Sequence, residues 1–374
     1  MKARDSQLSE RLQTGFLGVI AFGLILALLV QARFILVCLA FAIIIFSLTS
    51  DAISAFARLK VPNWLATTLA LIAITVGVLW AATTVVGQVN EVVTTSIAYT
   101  DRAQRVLATL SERWGPKAQE NIATFLGNID VAGWIRSAAS QASNLISGSV
   151  LILTFVGFMF SERIWFPVKV ERLTGDPARA QLWLDTVHTI MRRVNRYLVV
   201  KTGISAVTAG LIWLIFRGAG LELAGAIATL TFILNFIPTL GSIIATVVTV
   251  AMVLAQTGDP ATTLALGSLT TVVHFVIGNI FDPMLLGQTL RLSSFGIVLA
   301  LAFWGAVWGI AGTFLAVPIM VAVMIVCARI PWLRPVAVML SQEGVPEAEP
   351  PSRRLRMASA GTEAPARDPW RRDQ

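Results

Sequence analysis

The chain of 374 residues is 56% hydrophobic and 13% charged, with a formal charge of +8 and a mean hydropathy of +0.75. That balance excludes an ordinary soluble domain, in which about a quarter of residues are charged. The basic residues flank apolar runs instead of sharing one soluble face, which excludes nucleic acid as a partner, and the two cysteines, Cys38 and Cys327, sit inside apolar runs, which excludes a disulfide framework and makes them packing residues.

Leu12 to Ala32 is a 21-residue uncharged run behind Lys2, Arg4 and Arg11. It is longer than a signal-peptide core and another span, Phe34 to Ser50, follows at once, so it reads as a first transmembrane helix and not as a cleaved leader. Val61 to Asn90 is the third span. Residues 91–143 change character, with five basic and five acidic residues and apolar positions such as Val106, Leu107, Leu110 and Trp114 at helical spacing. This stretch is expected to form a small helical extramembrane lobe. Residues 144–161 are the fourth transmembrane helix.

Glu162 to Lys201 holds eight basic residues against four acidic, which marks a cytoplasmic loop. Within it Asp176 and Pro177 form a helix start, with Asp as the cap and Pro in the first turn. Leu182, Thr186, Ile190, Val194, Tyr197 and Leu198 then share one face, which predicts an amphipathic helix on the anionic leaflet with Arg192, Arg193 and Arg196 as its membrane-surface anchor. Thr202 to Phe216 has only 15 uncharged residues, a short span unless the flanking Lys201 and Arg217 snorkel. Residues 202–340 form the C-terminal transport core.

Two runs in that core are too long for one crossing. Leu223 to Gly258 has 36 uncharged residues, about 54 Å of helix against a hydrocarbon core of roughly 30 Å. It must break, and Asn235, Pro238 and Gly241 supply a polar side chain, a missing donor and a permissive backbone midway. Irregular backbone at that depth survives only where it is buried in protein or lines a cavity, so these residues are candidates for a substrate path. Ala261 to Phe281 follows, carrying His274 and Asn279 and closing on Asp282 and Pro283. Leu292 to Ala328 is the second overlong run, 37 residues with Gly305, Gly309, Gly312 and Pro318 inside it. Breaking only one run into two full crossings would put the Arg-bearing tail outside, so both runs are expected to behave alike, either as kinked spans or as hairpins, with both termini cytoplasmic. Residues 341–374, rich in Pro, Ala, Glu and Arg, read as a disordered tail. The fold class is therefore all-α, a polytopic integral membrane protein with two broken or re-entrant segments.

Asn279 joins Asn235, Pro238 and Gly241 on the expected substrate path. His274 is the titratable group deep inside a span, and it and Asp282 are candidates for ion coupling, although eight residues apart they share no helical stripe without a non-helical step near Pro283. Gly305 and Gly309 have the small-xxx-small spacing of helix packing, and Gly312 extends it. No phosphate-binding G-x-x-x-x-G-K-[ST] loop is present, no metal set can be assembled from His188, His274 and the cysteines, and no nucleophile spacing stands out. An enzyme is not expected, nor a cofactor or a metal; the expected partners are membrane lipids and a small polar solute.

Three segments carry a resemblance. Leu234-Asn235-Phe236-Ile237-Pro238-Thr239-Leu240-Gly241, Gly278-Asn279-Ile280-Phe281-Asp282-Pro283, and Phe303 to Gly312 leading to Ala316-Val317-Pro318 resemble the bacterial autoinducer-2 exporter family of permeases. The match is specific from about Lys201 to Leu340 and rests on hydropathy and segment order before that. The resemblance implies an inner-membrane homo-oligomer with about eight spans that exports small solutes. It also admits sodium or lithium ion/proton antiport, and the competing class is a membrane scaffold whose 91–143 lobe and tail bind proteins.

Overall fold

A computed structural model describes residues 2–57, 65, 68–88, 90–91, 131–238, 240–286, 292–342 and 344. Most of the expected lobe and the tail after Gly344 lie outside the described residues. Helix α1 spans Lys2–Gln31 and α2 Arg33–Ala57; α3 covers Thr68–Gln88 and α4 Val131–Glu162. After α5 (Phe166–Thr174), α6 runs without interruption from Pro177 to Gly218. Then come α7 (Ala224–Leu234), α8 (Leu240–Thr257) and α9 (Pro260–Val276). A π-turn, Ile277–Phe281, leads into α10 (Asp282–Leu286). Helix α11 (Ser294–Arg329) and the short α12 (Arg334–Leu340) close the described chain. Seven helices among the described residues are long and apolar enough to cross a membrane. With no strand among the described residues, only an isolated bridge between Leu292 and Ser341, this is an all-α polytopic membrane protein.

Two expected boundaries fall inside continuous helices. Residues 131–143, assigned to the lobe, are the first turns of α4. The amphipathic helix beginning at Asp176 does not end at Lys201 but continues as the next span, giving one 42-residue rod of about 63 Å. Its start is as the sequence suggests: the Asp176 carboxylate accepts from Ala178 N at 2.9 Å. The correction concerns Lys201, which does not snorkel but lies 2% exposed on the buried face of α6.

Both overlong runs fold back on themselves. In the first, Pro238 has no N–H to offer the Leu234 carbonyl, which accepts from Ile237 N at 2.9 Å instead. The chain turns through 235–238, and a Cβ on Gly241 would lie 1.7 Å from the Leu234 oxygen, so only glycine fits where α8 leaves α7. At the open end the Gln256 carboxamide oxygen accepts from Leu223 N at 3.3 Å, tying the two arms together. In the second, Gly309 adopts φ 64° and ψ −140°, and a Cβ on Gly312 would lie 1.9 Å from the Trp304 oxygen. Residues eight apart on a straight helix are about 12 Å apart, so α11 is a hairpin with arms 294–308 and 310–329. Gly305 is thus approached by Thr313 of its own return arm, where the sequence suggested a separate helix.

The two hairpins share a core. Leu234, Phe236 and Ile237 pack with Ala300, Leu301, Ala316, Val317, Met320 and Val321, and with Val194, Tyr197 and Leu198 of α6. Phe236 and Phe314 stack with ring centroids 4.6 Å apart, and Phe41 of α2 lies 5.4 Å beyond Phe314.

Candidate functional site

The tip of the first hairpin meets the return arm of the second beside one stripe of α6. Tyr197, Lys201 and Ser205 follow one another at four-residue spacing and so face the same way. All three are buried. Ser205 accepts from the Asn235 amide at 3.0 Å, so the first hairpin's polar tip hangs on the wall of α6. One turn earlier, Lys201 Nζ donates to Asp282 Oδ2 at 2.7 Å, and the pair has side-chain exposures of 3% and 23%. Asp282 Oδ1 and the Tyr197 hydroxyl are buried with no hydrogen-bond partner among the described residues.

The non-helical step that Pro283 suggested is present as the π-turn, in which Asp282 N donates to the Ile277 carbonyl. It does not bring His274 and Asp282 together. Asp282 is turned to α6, and His274, 6% exposed, is turned to α8, where its Nδ1 lies 2.8 Å from Thr246 Oγ1. Asn279 is not gathered in either: it is exposed and donates to the Phe275 carbonyl of its own helix. Pro238 and Gly241 form the turn around Asn235. Gly309 is the reversal of the second hairpin, and Gly305 and Gly312 are its seats. Arg192 and Arg196 are exposed on α6, with Arg193 half-buried.

The site therefore has a polar side, made by Asn235 and Ser205 with the neutralised Lys201–Asp282 pair next to it, and an aromatic side made by Phe236, Phe314 and Phe41. Two contributors carried no sequence signal of their own. Ser205 looked like any small residue of a span, and Lys201 looked like the end of one. Trp308 was likewise silent: its indole N–H donates to the Leu29 carbonyl at 3.0 Å, fastening the second hairpin's tip to the last turn of α1, where backbone carbonyls lack helical partners. Among the described residues no group of three or more His, Cys, Asp or Glu is placed to hold a metal ion.

Comparison with known proteins agrees with this architecture. The AI-2E family transporter profile matches residues 17–332. The AI-2 transport protein TqsA of Escherichia coli K12 is 27% identical over 330 residues, covering 86% of this chain and 95% of TqsA. A transport protein of Haemophilus influenzae is 28% identical over 327 residues, 83% of this chain and 90% of its own. The E. coli K12 transport protein YhhT is 33% identical over 177 residues, 47% of this chain and 50% of YhhT. Profile, relatives and helical layout coincide over the same span: the chain belongs to the AI-2E transporter family.

Proposed function

We propose that the protein exports a small polar solute across the bacterial inner membrane by facilitated or ion-coupled alternating access, with both termini cytoplasmic and autoinducer-2 as the first solute to test. The observation that carries this reading is Asn235 at the tip of a re-entrant hairpin. Buried intramembrane amides are costly unless bonded, and here one bond, to Ser205, holds the tip closed. A hydroxylated solute offers the same amide a replacement partner, and the adjoining Phe236 and Phe314 rings offer a surface for its apolar face. Opening then exchanges a protein hydrogen bond for a solute hydrogen bond, which keeps the barrier low without an ATP site. TqsA, named for AI-2 transport and similar over most of both chains, supports the choice of solute. Self-association into a homo-oligomer, which the resemblance implies, is supported by the apolar residues that α1 and α3 leave exposed, among them Phe16, Ile20, Phe22, Leu69, Val76 and Trp80, and lipid covers whatever other copies do not.

The test is flux of labelled autoinducer-2 through purified protein in liposomes, with protein-free liposomes as the control. Asn235→Ala and Pro238→Ala are expected to lower flux at unchanged membrane insertion. Normal flux in both overturns the site; no flux in the wild type, with any hydroxylated solute tried, overturns the function.

A further inference from the structure

The buried positions of α9 are Thr263, Gly267, Thr270 and His274. Their 4, 3, 4 spacing puts them on one face, and that face presents hydroxyls, a bare backbone and an imidazole, with no large apolar residue. Helix α8 meets this face at Thr246, which contacts His274, and at Val250, which lies beside Gly267. The two helices come close enough that a Cβ on Gly267 would lie 2.8 Å from Val250 Cγ2. A small, polar seam of this kind lets two membrane helices approach, but packing alone has no use for an imidazole in it.

The hydrogen bonds around His274 fix which ring nitrogen carries its proton. Thr246 Oγ1 lies 2.8 Å from His274 Nδ1 and 2.9 Å from the Ser242 carbonyl oxygen. A hydroxyl has one hydrogen. If that hydrogen points at the ring, the hydroxyl oxygen faces the carbonyl oxygen with no proton between them, and Nε2–H is left as a buried orphan donor. If instead it donates to the Ser242 carbonyl, the ring donates Nδ1–H to the hydroxyl and both contacts become hydrogen bonds. The second arrangement makes two bonds where the first makes one. It leaves Nε2 as an unprotonated lone pair, and Nε2 is buried without a partner among the described residues.

An atom with no open surface admits neither solute nor metal ion, but a proton needs no cavity. We infer that His274 Nε2 is the proton-accepting atom of the transport cycle, and that Thr246 is the positioning residue that keeps this nitrogen free. The proton comes from water when the seam opens, forms an N–H bond with the Nε2 lone pair, and returns to water on the other side; the ring is an imidazolium in between. Thr249, whose hydroxyl is buried without a partner among the described residues, lies one turn from Thr246 on the same side of α8. Thr270 lies one turn before His274, and both offer oxygens along the seam. From α6, Ile212 and Phe216 pack against Leu266 and Val273 of α9, so that side is apolar. Asp282, paired with Lys201 of α6, lies about two turns further along the chain from His274. None of these groups is a counter-charge in contact with the ring, so the imidazolium favours a hydrated, open seam and the neutral ring favours the closed one. The coupling rests on the transporter reading; the tautomer rests on the hydrogen bonds alone.

The chain has two histidines, and His188 is exposed, so nitrogen NMR of histidine-labelled protein in lipid nanodiscs reads His274 against an internal control. Expected for His274 at alkaline pH is a protonated Nδ1 and a bare Nε2, converting to the doubly protonated ring as pH falls. Thr246→Val, which keeps the side-chain shape, is expected to release the ring to the Nε2–H form. In liposomes, flux in the wild type is expected to vary with pH with a log slope approaching one, and His274→Gln to flatten that dependence. An Nε2–H tautomer in the wild type, or an unchanged pH profile in His274→Gln, overturns the inference. A failure of flux in every form overturns the exporter instead, and the tautomer and its titration then decide the proton site by themselves.

Discussion

The two hairpins solve one problem with the same device and then diverge. Each is an apolar run too long for the membrane, and each reverses where a glycine seats against a carbonyl oxygen, Gly241 on Leu234 and Gly312 on Trp304. The first needs the turn 235–238 and buries Thr231, Asn235, Thr249 and Gln256 along its arms. The second reverses at Gly309 and buries Ala300, Leu301, Leu315, Ala316, Val317, Val321 and Met324. Its polar tether, the Trp308 indole, holds α1 and not the site. The difference separates a frame from a working part. An apolar hairpin locked to α1 has little to exchange with a polar solute, whereas the first hairpin is held at its tip by a hydrogen bond that a solute can replace.

The largest effects are expected where the shared device is broken. Gly241→Ala and Gly312→Ala each put a methyl within 2 Å of a backbone oxygen. Neither is relieved by a rotamer change, and each is expected to cost more than about 4 kcal/mol. Size-exclusion chromatography in detergent should show loss of the monodisperse species in both. If Gly241→Ala remains well folded while Gly312→Ala does not, the first hairpin is the more pliable of the two and the contrast sharpens. Next is the Lys201–Asp282 pair. Lys201→Met alone leaves a buried carboxylate without its partner, at about 3–5 kcal/mol, whereas the double variant Lys201→Met, Asp282→Leu removes both charges and is expected to recover most of that loss. Thermal unfolding of the four forms checks this, and a double variant no better than the single would show the pair to be more than mutual neutralisation. Trp308→Phe is smaller, about 1 kcal/mol for the bond to Leu29. It is expected to leave solute affinity unchanged, since the frame and not the working hairpin loses a tether.

Much of this frame was legible in the sequence because it is written locally. Hydropathy gave the spans, run length demanded the two breaks, Pro238 and the glycines marked where, and Asp176 marked the start of α6. The bonds that make the site are not local. Asn235 to Ser205, Lys201 to Asp282, Thr246 to His274 and Trp308 to Leu29 join residues 30, 81, 28 and 279 positions apart. Nothing in a single sequence pairs them. Lys201 was misplaced for a physical reason: a charge at the edge of an apolar run looks the same whether the helix ends there or continues, and only the continuity of α6 turns it inward. The four-residue spacing of Tyr197, Lys201 and Ser205 was the available clue. It stayed silent because the polar face of a buried helix and that of an interfacial one share a period.

The turn between α8 and α9 gives the smallest effect, and one with a definite sign. Helix α9 starts at Asp259, whose carboxylate accepts from the Thr262 hydroxyl, from Thr262 N and from Ala261 N. The Thr262 hydroxyl bond contributes most, followed by the two backbone bonds, and together they hold the carboxyl below its ordinary value. A group whose folded value is depressed binds its proton more readily in the unfolded chain. Its contribution is therefore complete above the unfolded value of about 3.9 and is lost as pH falls through the folded one. Asn caps helices as well as Asp does but cannot ionise. Wild type is thus expected to unfold at a slightly higher temperature than Asp259→Asn at neutral pH, with the gap closing toward pH 3 in thermal scans. Closure at acid pH is what the cap requires; a gap that widens there would mean that the three bonds do not favour the ionised carboxyl.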